Sequence, residues 1–191
     1  MELFDIVDEN DLVIGQASRS ECHGNPNLIH RVAHVHVFNR NGDLLLQKRS
    51  LSKDIQPGKW DTCVGGHLDR DESYLQAAYR EMSEELGLLE SPLTFLYASK
   101  IRNAIESENV ATYLTVADGP FQFSLDEIDE VRFWSADEIE AALGKGVLTA
   151  NFEEEWELLK EWQRKYPLAT DASLAFCVGD GLPGLVQRLD R

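Results

Sequence analysis

Residues Gly66 to Leu88 read GHLDRDESYLQAAYREMSEELGL, and this stretch decides the fold. At roughly 100° per residue, Leu75, Ala78, Tyr79, Met82 and Leu86 fall on one helix face. That face is predicted to meet a core. Glu81, Glu84 and Glu85 fall on an adjacent face. Asp71 is the predicted N-cap and Gly87 the predicted helix stop. Like charges three and four residues apart cost a helix about 0.2–0.5 kcal/mol each. A hard divalent cation reverses that sign, because it takes carboxylate oxygens and keeps waters for a phosphate ligand. A solvated acidic face is the ordinary alternative in a chain with 34 acidic residues. The spacing of the whole stretch separates the two readings.

That spacing is Gly66, five residues, Glu72, seven residues, Arg80-Glu81, Met82, one residue, Glu84-Glu85, one residue, Gly87 and Leu88. It resembles the Nudix box at every specified position. With each specified residue type at roughly one in fifteen, a chance match is negligible. The resemblance implies an α/β fold, the Nudix α/β/α sandwich with a mixed β-sheet between helices. It implies a hydrolase that cleaves a phosphoanhydride bond in a nucleoside diphosphate derivative or related organic diphosphate. It further implies Mg²⁺, with Mn²⁺ as a substitute, held by Glu81, Glu84, Glu85 and the Gly66 carbonyl. Glu72 and Arg80 take structural roles, Glu72 orienting Arg80. Glu84, Glu106 and Glu108 are the candidate general bases.

Along the rest of the chain, Leu3–Val7 and Leu12–Gln16 read as an N-terminal hairpin. His30–Phe38 and Asp43–Gln47 are strands joined at Asn41-Gly42, a turn pair. Lys59–Val64, Leu93–Ala98, Val110–Val116 and Val131–Trp134 read as further strands. Ala136–Leu143 and Phe152–Lys165 read as helices. Alternating elements of this kind indicate an α/β layered architecture. The expected organisation is a hairpin over 1–28 packed on the core, the Nudix domain over 29–165 and an extension over 166–191, all one domain.

The formal net charge is −16, which argues against nucleic acid as a partner. The expected partner is a small-molecule diphosphate, with no membrane association; a homodimer is compatible but not demanded. A cluster of cations, Lys48, Arg49, Lys53 and Lys59, precedes the box. Cys22, Cys63 and Cys177 show no metal-type spacing and read as free thiols. With no apolar segment of spanning length and no signal peptide, a cytoplasmic location is expected.

The region around the box is also similar to type I isopentenyl-diphosphate isomerase, a relative within the superfamily. Lys48-Arg49-Ser50-Leu51-Ser52-Lys53 and Pro57-Gly58-Lys59-Trp60 are similar to its diphosphate loop, which implies substrate-binding roles for Arg49 and Lys53. His23, His30 and His67 match its histidine ligands, and Glu106 and Glu108 its glutamate pair. This implies a second site for Zn²⁺ or Mn²⁺. His30, His34 and His36 also share a strand face, and a hydrogen-bonded polar layer is the structural alternative. Trp156 is aligned with the isomerase's active-site tryptophan. The isomerase's cysteine is replaced by Gly65. Cys63 lies two residues earlier, on the same strand face if the strand is regular. An isomerase-like enzyme using Cys63 and a non-catalytic diphosphate-binding module are therefore the alternatives to a hydrolase. Trp60, Tyr113, Phe121 and Trp134 are candidates for stacking on a substrate or for the core.

Overall fold

The computed structural model describes residues 3–53, 55–89 and 91–166. The 166–191 extension therefore lies outside the described residues, apart from Tyr166, as does Cys177. Among the described residues, nine strands and four helices follow one another: β1 (Leu3–Val7), β2 (Val13–Ser18), α1 (Arg19–Cys22), β3 (Ile29–Phe38), β4 (Leu44–Arg49), β5 (Trp60–Thr62), β6 (Val64–His67), α2 (Tyr74–Leu86), β7 (Thr94–Arg102), β8 (Ser107–Val116), β9 (Ile128–Trp134), α3 (Ala136–Ala142) and α4 (Ala150–Lys165). No described helix is long and apolar enough to cross a membrane.

β3 is the hub of the mixed sheet. It runs parallel to β8 from Ile29↔Ser107 to Phe38↔Val116 and antiparallel to β6 from Val32↔His67 to Val35↔Val64. Its ends also meet β1 at Val7↔Ile29 and β4 at Phe38↔Leu44. Strand side chains alternate between faces, and β3 uses both. Ala33, Val35 and Val37 pack towards α2, together with Leu45, Ala111 and Met82. Phe38 packs on the other face with Leu44, Leu46, Ile139, Phe152 and Trp156. A sheet with helices on both sides results, and the hairpin carries a separate small cluster of Phe4, Ile6, Ala17 and Cys22.

α2 starts two residues later than the sequence suggested. Its N-cap is Ser73, whose side chain accepts from the Gln76 N–H, while Gln76 returns a carboxamide bond to the Ser73 N–H. Asp71 instead sits at φ 61°, and its N–H donates to Asp5 Oδ2 at 3.1 Å. The core face is also turned by a fraction of a turn: Tyr74, Ala77, Ala78, Met82 and Leu86 are buried, whereas Leu75 and Tyr79 are exposed. Burying an aliphatic side chain of this size contributes about 1.5–3 kcal/mol. Gly87 ends the helix at φ 68°, the left-handed conformation that glycine adopts without penalty.

The segment read as one strand over Lys59–Val64 is two, and the break falls at Cys63. Alternation restarts there, so Cys63 and Val64 both enter the α2-side core. The Cys63 Sγ is fully buried and lies 3.5 Å from Val35 O. Burial also pushes its thiol well above the usual range. Cys63 therefore does not look into the pocket, and the isomerase-like alternative built on it is corrected.

On the other face α4 is pinned to the sheet through one buried carboxylate. Glu155 accepts from His34 Nδ1 at 2.9 Å, from Thr112 Oγ1 at 3.3 Å and from Thr62 Oγ1. His36 Nε2 lies 3.2 Å from the Tyr97 hydroxyl. This is the polar layer expected for His34 and His36; His30 goes elsewhere. Burial alone would keep His34 neutral, but the Glu155 carboxylate outweighs it and raises the pKa to about 9. Burial would likewise raise Glu155, and the imidazoles at His34 and His36 bring it down to about 2.

Two predictions follow from these features. Ser73→Ala should cost about 1 kcal/mol in chemical denaturation, while Asp71→Gly, at a positive φ, should be neutral or mildly stabilising. The second concerns pH. A raised histidine pKa contributes stability below about 6.5 that is lost as pH rises through about 9. A lowered carboxyl pKa contributes stability above about 4.5 that is lost as pH falls through about 2. The pair's contribution is thus greatest between about pH 4.5 and 6.5. The wild type should lose melting temperature relative to the His34→Leu/Glu155→Leu double variant between pH 6 and pH 10; parallel profiles would contradict this.

Candidate active site

The acidic face of α2, the β5–β6 segment and the loop after β4 enclose a cavity of about 620 Å³. Arg80 organises its acidic wall. Its Nε and Nη2 fork onto Glu72 at 3.0 and 2.9 Å, a bidentate geometry of charge-assisted bonds. Nη2 also donates to His67 O at 2.9 Å, and Nη1 to Glu81 Oε1 at 2.6 Å. One guanidinium therefore joins strand β6, the loop after it and the helix.

Glu81 and Glu85 converge on the glycine pair of β6. A Cβ at Gly66 would fall 1.9 Å from the Glu81 carboxyl carbon, so only glycine lets that carboxylate lie against the strand. The Gly65 N–H donates to Glu85 Oε2 at 3.1 Å. Glu84 is more open, its side chain 61% exposed. Burial, with Glu81 and Glu127 adding repulsion, pushes Glu85 up to about 8. Burial also raises Glu81, against the pull of Arg80. Acids gathered this closely are under-compensated by protein groups, and a hard cation with oxygen preference fits them.

Across the cavity, Arg49 and Lys53 line the wall. Arg49 Nη1 lies 3.2 Å from Asp61 Oδ2, and Lys53 Nζ lies 3.3 Å from Glu127 Oε2. At one end His23, His30 and His67 bring ring nitrogens within 4.8 Å of one another. Glu106 Oε2 lies 3.6 Å from His23 Nδ1. Glu108 Oε1 lies 3.3 Å from His30 Nε2 and 3.5 Å from His67 Nε2. Those two nitrogens are buried without a directed hydrogen bond. Burial depresses the His67 pKa, favouring the neutral ring that ligates metal. Glu108 would be raised by burial, but the two imidazoles beside it hold it well below the usual carboxylate range. The five side chains named from the sequence are thus together in space, and their donors suit a borderline transition metal.

Other expectations do not reach the cavity. Trp156 is core, its Nε1 donating to Glu140 at 2.8 Å; Asn151, in the first turn of α4, lines the cavity instead. Trp60, Tyr113 and Trp134 are buried in the two cores, and Phe121 packs against one of them. Sequence reasoning missed Arg19, whose Nη1 lies 3.5 Å from His67 Nδ1 on the cavity wall. The signal was available in Ser18 and Glu21, which form a capping box around the short helix α1. Asp61 and the His34–Glu155 pair carried no local signal.

Comparison with known proteins agrees with this architecture. A model of the NUDIX domain matches residues 28–152. An uncharacterized Nudix hydrolase of Yersinia pestis is 38% identical over 145 residues, 74% of this chain and 77% of that protein. An isopentenyl-diphosphate Delta-isomerase of Streptomyces avermitilis is 32% identical over 145 residues, 72% of this chain and 73% of that protein. The crystal structure of DR0079 from Deinococcus radiodurans, at 24% identity, superposes with a TM-score of 0.69, covering 86% of this chain and 99% of that one. With its box filled at every position and 125 consecutive residues matching the domain model, the chain belongs to the Nudix hydrolase family.

Proposed function

We propose that the protein is a metal-dependent pyrophosphohydrolase acting on a nucleoside diphosphate derivative or related organic diphosphate. The observation that carries this reading is the convergence of Glu81 and Glu85 on the Gly65-Gly66 backbone opposite Arg49 and Lys53. Glu81, Glu84, Glu85 and the Gly66 carbonyl would hold Mg²⁺ or Mn²⁺, and His23, His30, His67, Glu106 and Glu108 would hold a second cation such as Zn²⁺ or Mn²⁺. Bound cations would neutralise the diphosphate and lower the pKa of water.

The chain's own groups do the rest. Arg49 and Lys53 bind the diphosphate oxygens and offset charge on the leaving group. Arg80 holds Glu81 and Glu72 in place. Water attacks one phosphorus in line: its oxygen bonds to that phosphorus, the bridging P–O bond breaks, and the electron pair leaves with the departing phosphate. Among the candidate bases, Glu108 is occupied by two imidazoles and is a weak acceptor. Glu84, with the greatest access to water, takes the proton. Isomerisation is disfavoured, because Gly65 carries no thiol and Cys63 faces the opposite core.

Glu85→Gln removes one cation-binding charge with little change of shape. It should lower kcat/KM for diphosphate hydrolysis by about 10²-fold or more at limiting Mg²⁺ while leaving the melting temperature near or above that of the wild type. Wild-type turnover in a folded variant would remove the proposed site.

A further inference from the structure

Arg49 and Asp61 meet across a strand pair. Gln47 of β4 stands directly opposite Asp61 of β5. Arg49, two residues further along β4, shares that face and reaches Asp61 on the diagonal. Its Nη1 donates to Asp61 Oδ2 at 3.2 Å, and its Nε donates to Ile55 O at 3.0 Å. A guanidinium has five N–H groups, and these bonds take two. The rest are left for the cavity that Arg49 lines. Asp61 is itself held from behind. Its Oδ1 accepts from the Thr62 N–H at 3.0 Å and from Thr149 Oγ1 at 2.7 Å. Thr149 is buried and caps α4, accepting from the Phe152 N–H at 3.1 Å. The carboxylate is thereby anchored to its own strand and to the first turn of a helix, which aims Oδ2 at Arg49.

We propose that Asp61 is a positioning residue for diphosphate binding, acting through Arg49, whose guanidinium it holds in place before the ligand arrives. This rests on the diphosphate reading of the cavity. Two effects of Asp61 oppose each other. A long, rotamer-rich side chain loses its freedom when it grips a phosphate, and a clamp moves that loss from binding to folding. The fixed fork also suits phosphate oxygens. Against this, Asp61 lines the cavity, and its charge repels the same phosphates. The two donors on Oδ1 and the guanidinium on Oδ2 disperse that charge, so the ordering of Arg49 prevails while Arg49 is present. With Arg49 gone, only the repulsion is left. Asp61 therefore aids diphosphate binding through Arg49 and opposes it otherwise. A residue that merely stabilised the fold would act alike in both backgrounds.

The test is a double-mutant cycle read by equilibrium binding. Methylenediphosphonate, which cannot be hydrolysed, is titrated calorimetrically into the full-length protein with Mg²⁺. Asp61→Asn should weaken its binding about tenfold, within the range of coupling between groups in contact. In the Arg49→Gln background the same substitution should leave binding unchanged or tighten it. Asp61→Glu keeps the charge but displaces the carboxylate. It should also weaken binding with Arg49 present, and it serves if Asp61→Asn does not fold. Three results would each overturn the proposal: no binding by the wild type, no loss on substitution of Asp61, or an equal loss in both Arg49 backgrounds. Hydrolysis is judged separately by the Glu85→Gln comparison. A sign change across the cycle in a protein that hydrolyses no diphosphate would sink the hydrolase reading and leave this one standing.

Discussion

The Arg80 guanidinium is the constraint on which the site depends. It spends its donors on Glu72, Glu81 and the His67 carbonyl, and those partners belong to a loop, a helix and a strand. Without it, Glu72, Glu81 and Glu84 would repel one another, and the Gly65 N–H bond to Glu85 would be left to tie β6 to α2 on this side. With it, Glu81 is pressed against Gly66 so closely that no side chain fits there. The same contact therefore fixes a backbone, a carboxylate and the amino acid opposite it.

A second constraint comes from β3. Because this strand is covered on both faces, its alternate residues enter different chemical worlds. Ala33, Val35 and Val37 serve an apolar core, while His30, His34 and His36 face the polar side. The protein then solves an electrostatic problem locally. A chain of net charge −16 repels an anionic substrate at long range, and the cations that would attract one are placed on the cavity wall and steadied by single acids: Arg49 by Asp61 and Lys53 by Glu127. Such local fields matter more to a bound ligand than the sum of distant, screened charges.

Much of this was legible in the sequence because the signals were local. The box residues sit within 23 consecutive positions, and strand and helix periodicities placed most elements within a few residues. The failures were also physical. Asp71 and Ser73 both have capping side chains, and only the left-handed backbone at Asp71 removes it from contention. The α2 core face is turned by a fraction of a turn from the expected one, because packing on the sheet buries Tyr74 and Ala77 where Leu75 and Tyr79 were expected. Cys63 was assigned to the pocket by regular alternation, and the break between β5 and β6 inverted it. His34 and Glu155 are 121 residues apart, so their pairing depends on how α4 docks, which no local pattern encodes. The histidine and glutamate cluster was found by resemblance to a relative rather than by spacing.

The central claim is that the α2 carboxylates gather a divalent cation against the Gly66 carbonyl. Anomalous diffraction from a crystal soaked in Mn²⁺ tests it most directly. The account predicts a peak within bonding distance of carboxylate oxygens from Glu81, Glu84 or Glu85. A crystal with Mn²⁺ bound elsewhere, and those carboxylates turned to bulk solvent with no peak between them, would contradict it.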